Sequence, residues 1–216
     1  MIEVIDLTKD YETRFGSRRV LDSLCMTVAP GQKIGVLGRN GAGKSTLVKL
    51  IGGVETPTSG KVRRLMSVSW PLAFSGGFQG GLTGNDNIRF LSRIHGIPFK
   101  DIHAFVEDFS ELGKHLRDPV KTYSSGMRAR LTFALSLAIE FDCYLIDEVI
   151  AVGDSRFHSK CHDELFVKRA DRALVLVSHD TNKIKEYCTS AILLDHGKAA
   201  YFDDLQAGLD AYVNSY

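Results

Sequence analysis

Short aliphatic runs alternate along the chain with stretches whose apolar residues recur every three or four positions, the pattern of a parallel sheet covered by helices. Residues 34–37 read as a buried strand that enters Gly38-Arg39-Asn40-Gly41-Ala42-Gly43. The helix predicted next, from Lys44 to about Ile51, closes on Gly52 and Gly53. Residues 143–146 and 173–177 are two further core strands. Between them, 155–169 sets Phe157, Cys161, Leu165 and Phe166 on one side of a crossover helix. Residues 191–194 and 199–202, joined through Asp195-His196-Gly197-Lys198, predict a terminal hairpin before a short last helix. The middle, roughly 84–138, reads helical throughout. The expectation is one α/β domain over 1–216, with a core of 1–83 and 139–216 and an inserted helical subdomain at about 84–138.

With 216 residues there is room for one well-buried domain. The 27 Lys and Arg nearly balance the 26 Asp and Glu, for a net charge of +1. Such balance implies no bulk attraction to nucleic acid or anionic lipid, and no nucleic-acid partner is expected. The most apolar stretch, 131–146, is interrupted by Glu140 and Asp142, which rules it out as a bilayer-spanning helix. The first residues carry acids early and lack an apolar run, so no secretory signal is expected. Cys25, Cys143, Cys161 and Cys188 form no CxxC pair and suit reduced thiols. His158, Cys161 and His162 have ligand chemistry, but no second ligand pair accompanies them.

The stretch from Gly38 to Ser45 matches GxxxxGK[ST], with the required strand before it and helix after it. The glycines let successive N–H groups face a phosphate, and the helix start adds partial positive charge. Lys44 supplies a full charge to the β- and γ-phosphates, the Ser45 hydroxyl ligates Mg²⁺, and Thr46 completes the loop. The motif indicates a nucleoside triphosphate. It does not separate kinases, GTPases, helicases and transport ATPases. The apolar strand at 143–146 runs into Asp147 and Glu148, which it delivers to the carboxyl edge of the sheet. Asp147 would hold Mg²⁺, while Glu148 would orient the attacking water.

Tyr123-Ser124-Ser125-Gly126-Met127, at the head of a helix expected over 128–139, resembles the signature motif of ABC-type ATPases. It departs from the usual LSGGQ at Tyr123, Ser125 and Met127. Ser124 is also a good helix N-cap in its own right. The resemblance implies that this cradle faces the ATP of a second copy, two subunits closing head to tail on two ATP molecules as a homodimer. The remaining family motifs follow in order: Tyr11 resembles the adenine-stacking aromatic, and Gln79 the glutamine that touches Mg²⁺ and the attacking water. Asp154 takes the place of the aspartate that crosses the dimer interface, and His179 that of the switch histidine at the γ-phosphate. The family fold so implied is a P-loop NTPase core with a mostly parallel sheet, an N-terminal antiparallel part and an inserted helical subdomain.

Within the family the strings 69–74, 77–80, 82–84, 123–127 and 147–154 look like those of ATPase subunits of bacterial capsular-polysaccharide exporters. That likeness implies ATP hydrolysis at the cytoplasmic face of the inner membrane and two copies of a membrane-spanning permease. Periplasmic and outer-membrane export components would be reached indirectly. The alternatives left open are subunits of O-antigen, teichoic-acid or small-molecule exporters, and a soluble ABC ATPase acting on ribosomes or DNA.

Overall fold

The computed structural model describes residues 1–72, 79–147 and 155–215. They form two compact units, one of Met1–Pro71, Phe141–Glu148 and Ala170–Tyr216, the other of Leu72–Glu140 and Val149–Arg169. Residues 155–169 follow the strand at 143–147 in the chain as a crossover should, but they pack with the helical unit rather than with the core to which the sequence pattern assigned them.

In the first unit a six-stranded sheet has the order β5-β6-β7-β3-β8-β9, from β3 (Lys33–Gly38), β5 (Val68–Pro71), β6 (Cys143–Asp147), β7 (Ala173–Val177), β8 (Ser190–Asp195) and β9 (Lys198–Phe202). All pairs are parallel except β8 with β9. β3, β6 and β7 are apolar and buried almost throughout, as strands covered on both faces must be. α1 (Lys44–Ile51) buries Leu47, Val48, Leu50 and Ile51 in the same cluster as Ile34, Val36, Leu145, Val175 and Ile192. α6 (Thr181–Tyr187) and α7 (Leu205–Asn214) complete the unit.

A second, antiparallel sheet has the order β2-β1-β4, with β1 (Ile2–Thr13), β2 (Gly16–Val28) and β4 (Ser59–Arg64). The first two strands are long but not regular. Register shifts interrupt the ladder, and Asp6 and Ser23 take positive φ values of 47° and 49°. Each break moves the buried positions to the other parity: Ile2 and Val4 give way to Leu7, and Leu21 gives way to Leu24, Met26 and Val28.

The second unit is helical: α2 (Gly84–His95), α3 (Phe99–Ser110), α4 (Ser125–Leu137) and α5 (Ser155–His162), with short 3₁₀ turns at Gly113–Arg117 and Val120–Thr122. α4 begins earlier than the helix expected at 128, because Ser124 caps it by accepting from the Met127 N–H at 3.2 Å. Thr83 and Asp86 close a capping box on α2. Phe157 packs edge-on against Phe109 and Phe133, with ring centroids 5.3 and 6.4 Å away, and so holds α5 to α3 and α4. α5 gives way to a π-helical turn, Asp163–Val167.

Arg169 follows that turn, and its guanidinium is almost wholly buried. It donates to Glu164 Oε2 at 2.7 Å, to the Leu137 carbonyl at 3.1 Å and to Glu140 Oε1 at 2.6 Å. Burial opposes ionisation of Glu164, yet the bonds from Lys168 and Arg169 hold its carboxyl below the ordinary 4.5. Arg169→Ala leaves that carboxylate to Lys168 alone and is expected to lower unfolding stability by about 2 kcal/mol at pH 7. A lowered carboxyl stabilises the fold above its ordinary range and loses that contribution on acidification, so the deficit should narrow once the pH falls below 4.5. Urea unfolding of both proteins at a series of pH values reads this directly.

Candidate functional site

β3 ends at Gly38, where φ is +145° and an added Cβ would stand 2.4 Å from the Leu194 carbonyl oxygen. Only glycine can leave the strand this close to its β8 neighbour. Gly43, at φ +104°, is the N-cap of α1, and no side chain caps that helix. A Cβ at Gly43 would come within 2.9 Å of Leu21 Cδ2 and 3.1 Å of Val20 Cγ1, so the loop is pressed against β2. The first N–H groups of α1 therefore open, with the positive end of the helix dipole, into a cavity of about 550 Å³.

Asn40, Gly41, Gly43, Lys44, Ser45 and Thr46 form one wall. Lys44 is 7% exposed, and its ammonium donates to the carbonyls of Gly38 at 2.7 Å and Arg39 at 3.0 Å. The charge is thus held inside the curve of the loop. Arg39 and Ala42 line a second cavity, of about 490 Å³, together with Arg19 and the turn at 195–197.

Asp147 and His179 form the opposite wall with Val177. In-register parallel pairing sets Asp147 beside Val177 and Val36 beside the same residue, so three strand ends share one edge. The turn that presents His179 is fixed from both sides. Ser178 Oγ accepts the Asp180 N–H at 3.0 Å, and the Asp180 carboxylate accepts the Asn182 N–H at 2.9 Å to cap α6.

The third wall is the β1–β2 hairpin, through Tyr11, Thr13, Arg18 and Val20. Tyr11 donates its hydroxyl to Glu55 Oε2 at 2.5 Å, and Lys9 Nζ lies 4.9 Å over its ring. Burial and then the Glu55 bond raise the phenol above its ordinary 10.0. Lys49 and Lys9 also reach Glu55, at 3.4 and 3.5 Å. Tyr11 is therefore a neutral ring clamped in place. Thr13, Arg18 and Val20 carried no motif; alternation alone sets Thr13 with Tyr11, and the strand pairing that adds Arg18 and Val20 shows only in the fold.

Gln79 and the 123–127 segment belong to the second unit. The Gln79 N–H donates to Asn87 Oδ1 at 3.1 Å, and the Lys121 N–H donates to the Gly80 carbonyl at 2.7 Å, which stitches the glutamine's loop to the approach to α4. Ser124 and Ser125 are exposed, while Tyr123 is buried and donates its hydroxyl to the His115 carbonyl. A Cβ at Gly84 would stand 2.9 Å from that hydroxyl oxygen, so a tyrosine in place of leucine is matched by a glycine. Glu148 and Asp154 lie outside the described residues. Burial pushes the thiols of Cys143, Cys161 and Cys188 up to about 12, which leaves them unreactive.

A family model described as ABC transporter matches residues 21–151. The chain belongs to the ABC transporter family. It is 58% identical over 212 residues to the capsule polysaccharide export ATP-binding protein CtrD of Neisseria meningitidis serogroup B, and 55% identical over 212 residues to the ATP-binding protein BexA of Haemophilus influenzae. Each match covers 98% of both chains. Among solved structures, the dimeric post-hydrolysis state of the ATP-binding cassette MJ0796, bound to ADP and Pi, superposes with a TM-score of 0.77 at 19% identity, covering 95% of this chain and 99% of that one. The ABC ATPase fold is thus common to both. Among the described residues of this ABC subunit, no helix is long and apolar enough to cross a membrane.

Gly38→Ala is expected to strain the loop, because the Leu194 carbonyl leaves no room for a Cβ there. The cost should be about 1–3 kcal/mol, with nucleotide affinity falling alongside stability. Thermal unfolding and nucleotide titration of the same preparation check both.

Proposed function

We propose that this chain is the ATP-hydrolysing subunit of an exporter that carries capsular polysaccharide across the bacterial inner membrane, docked at the cytoplasmic face on two copies of a permease. The observation that carries the reading is 58% identity to CtrD across 98% of both chains. The cavity that gathers Tyr11, Lys44, Ser45, Asp147 and His179 supplies the chemistry.

In this reading adenine stacks on the Tyr11 ring face turned away from Lys9. The loop N–H groups and Lys44 hold the β- and γ-phosphates, and His179 contacts the γ-phosphate from the strand edge. The Ser45 hydroxyl and the Asp147 carboxylate, both in this cavity, are hard oxygen donors of the kind Mg²⁺ takes, with Gln79 as a further oxygen. When bound, Mg²⁺ would neutralise phosphate charge. Glu148 orients the attacking water, and Ser124, Ser125, Gly126 and Met127 of a second copy close over the γ-phosphate, with Asp154 at the same interface. Closure must draw on differential affinity: turning a 1:99 population round takes about 5.5 kcal/mol in favour of the closed state.

Lys44→Ala should weaken ATP binding at least tenfold. Glu148→Gln should bind ATP, accumulate as a dimer and lose hydrolysis. Equilibrium titration, size exclusion with ATP and phosphate release measure these three quantities; normal hydrolysis by the Glu148 variant would sink the role given to that residue. For the cargo, purification from the native membrane in mild detergent should recover a multi-spanning permease, and deletion should leave polysaccharide inside the cell. Recovery with ribosomes or DNA and no permease would overturn the transporter reading.

A further inference from the structure

Two adjacent arginines on β2 meet opposite fates. Arg19 is neutralised: it donates to Asp10 at 2.9 Å and to Asp22 at 3.0 Å, and these carboxylates, Asp10 first, raise its pKa. Arg18 alternates to the other face of the strand, and among the described residues no carboxylate lies within ion-pair distance of it.

The register decides where Arg18 points. It is the direct antiparallel partner of Tyr11, as Ser17 is of Glu12 and Gly16 of Thr13. Directly paired residues project to the same side of a sheet, with Cβ atoms about 5 Å apart. Tyr11 and Arg18 accordingly line the same cavity, and Arg18 also borders the neighbouring one with Arg19 and Asp195. At its far end the guanidinium reaches the phosphate loop, where Nη2 lies 4.0 Å from the position a Cβ on Gly41 would take. The side chain thus spans the gap between the clamped aromatic ring and the loop.

We infer that Arg18 is a second cation of the nucleotide site, which binds the α,β-diphosphate portion of a nucleoside di- or triphosphate as it runs from the base to the loop. The inference rests on the nucleotide-site reading above. A planar guanidinium offers paired N–H donors that match two phosphate oxygens, which a lysine cannot reproduce. It comes from the hairpin, whereas Asp147 and His179 come from the ends of β6 and β7. It should therefore serve ADP and ATP alike, whereas groups at the γ-phosphate favour ATP.

The test is titration of the full chain with fluorescent ADP and ATP analogues, comparing wild type with Arg18→Ala, Arg18→Lys and Lys44→Ala. Arg18→Ala is expected to weaken both nucleotides by about tenfold at low salt, by equal factors, with the ratio shrinking as salt is raised because the side chain is exposed. Arg18→Lys should recover part of the loss, and thermal unfolding should be unchanged in both Arg18 variants. If Arg18→Ala binds ADP as wild type does while Lys44→Ala is weakened, the inference is overturned and the nucleotide site stands. A loss for ATP alone would instead place Arg18 at the γ-phosphate and overturn it too. Failure of the wild-type chain to bind either nucleotide would sink the site itself.

Discussion

The structure depends on how β3 leaves the sheet. Hydrogen-bonded on both sides, to β7 and to β8, it cannot bend away, and the chain must turn at Gly38 directly against the Leu194 carbonyl. That fixed departure aims α1 back over the sheet, and its buried face of Leu47, Val48, Leu50 and Ile51 then locks the direction. The in-register ends of β6 and β7 bring a carboxylate and an imidazole to the edge where the loop emerges. A cation, helix N–H groups, an acid and a histidine converge because parallel strands end together.

Much of this was legible locally. The loop from Gly38 to Thr46 is read from consecutive residues, and strands buried on both faces announce themselves as unbroken apolar runs. Asp147 followed, since it is the first residue past such a run; His179, two residues past another, came from the family resemblance. The β1–β2 hairpin was not legible as two long strands, because the breaks at Asp6 and Ser23 invert the alternation on which strand recognition relies. Pairing of Tyr11 with Arg18 lies beyond those shifts, so no count along the sequence could have given it.

The division into units was hidden for a different reason. Periodicity shows that 155–169 is helical with Phe157, Cys161 and Leu165 on one side, but not which apolar surface that side meets. Phe109 and Phe133 answer this, and they come from helices remote in sequence. The departures of the 123–127 segment from the usual family string are explained in part by the same unit. Tyr123 faces inward to the His115 carbonyl, and it is Ser124 and Ser125 that remain at the surface.

The π-helical turn at Asp163–Val167 makes this stretch forgiving of its own length. Such a turn holds one residue more than an α-helical turn, and its extra width takes that residue up on the spot. Without the surplus residue the same segment could run as plain α-helix, with the residues on either side close to their present places. Arg169 would still reach the Leu137 carbonyl and Glu140. The surplus is absorbed locally, so a one-residue deletion here would do less damage than losing the arginine itself.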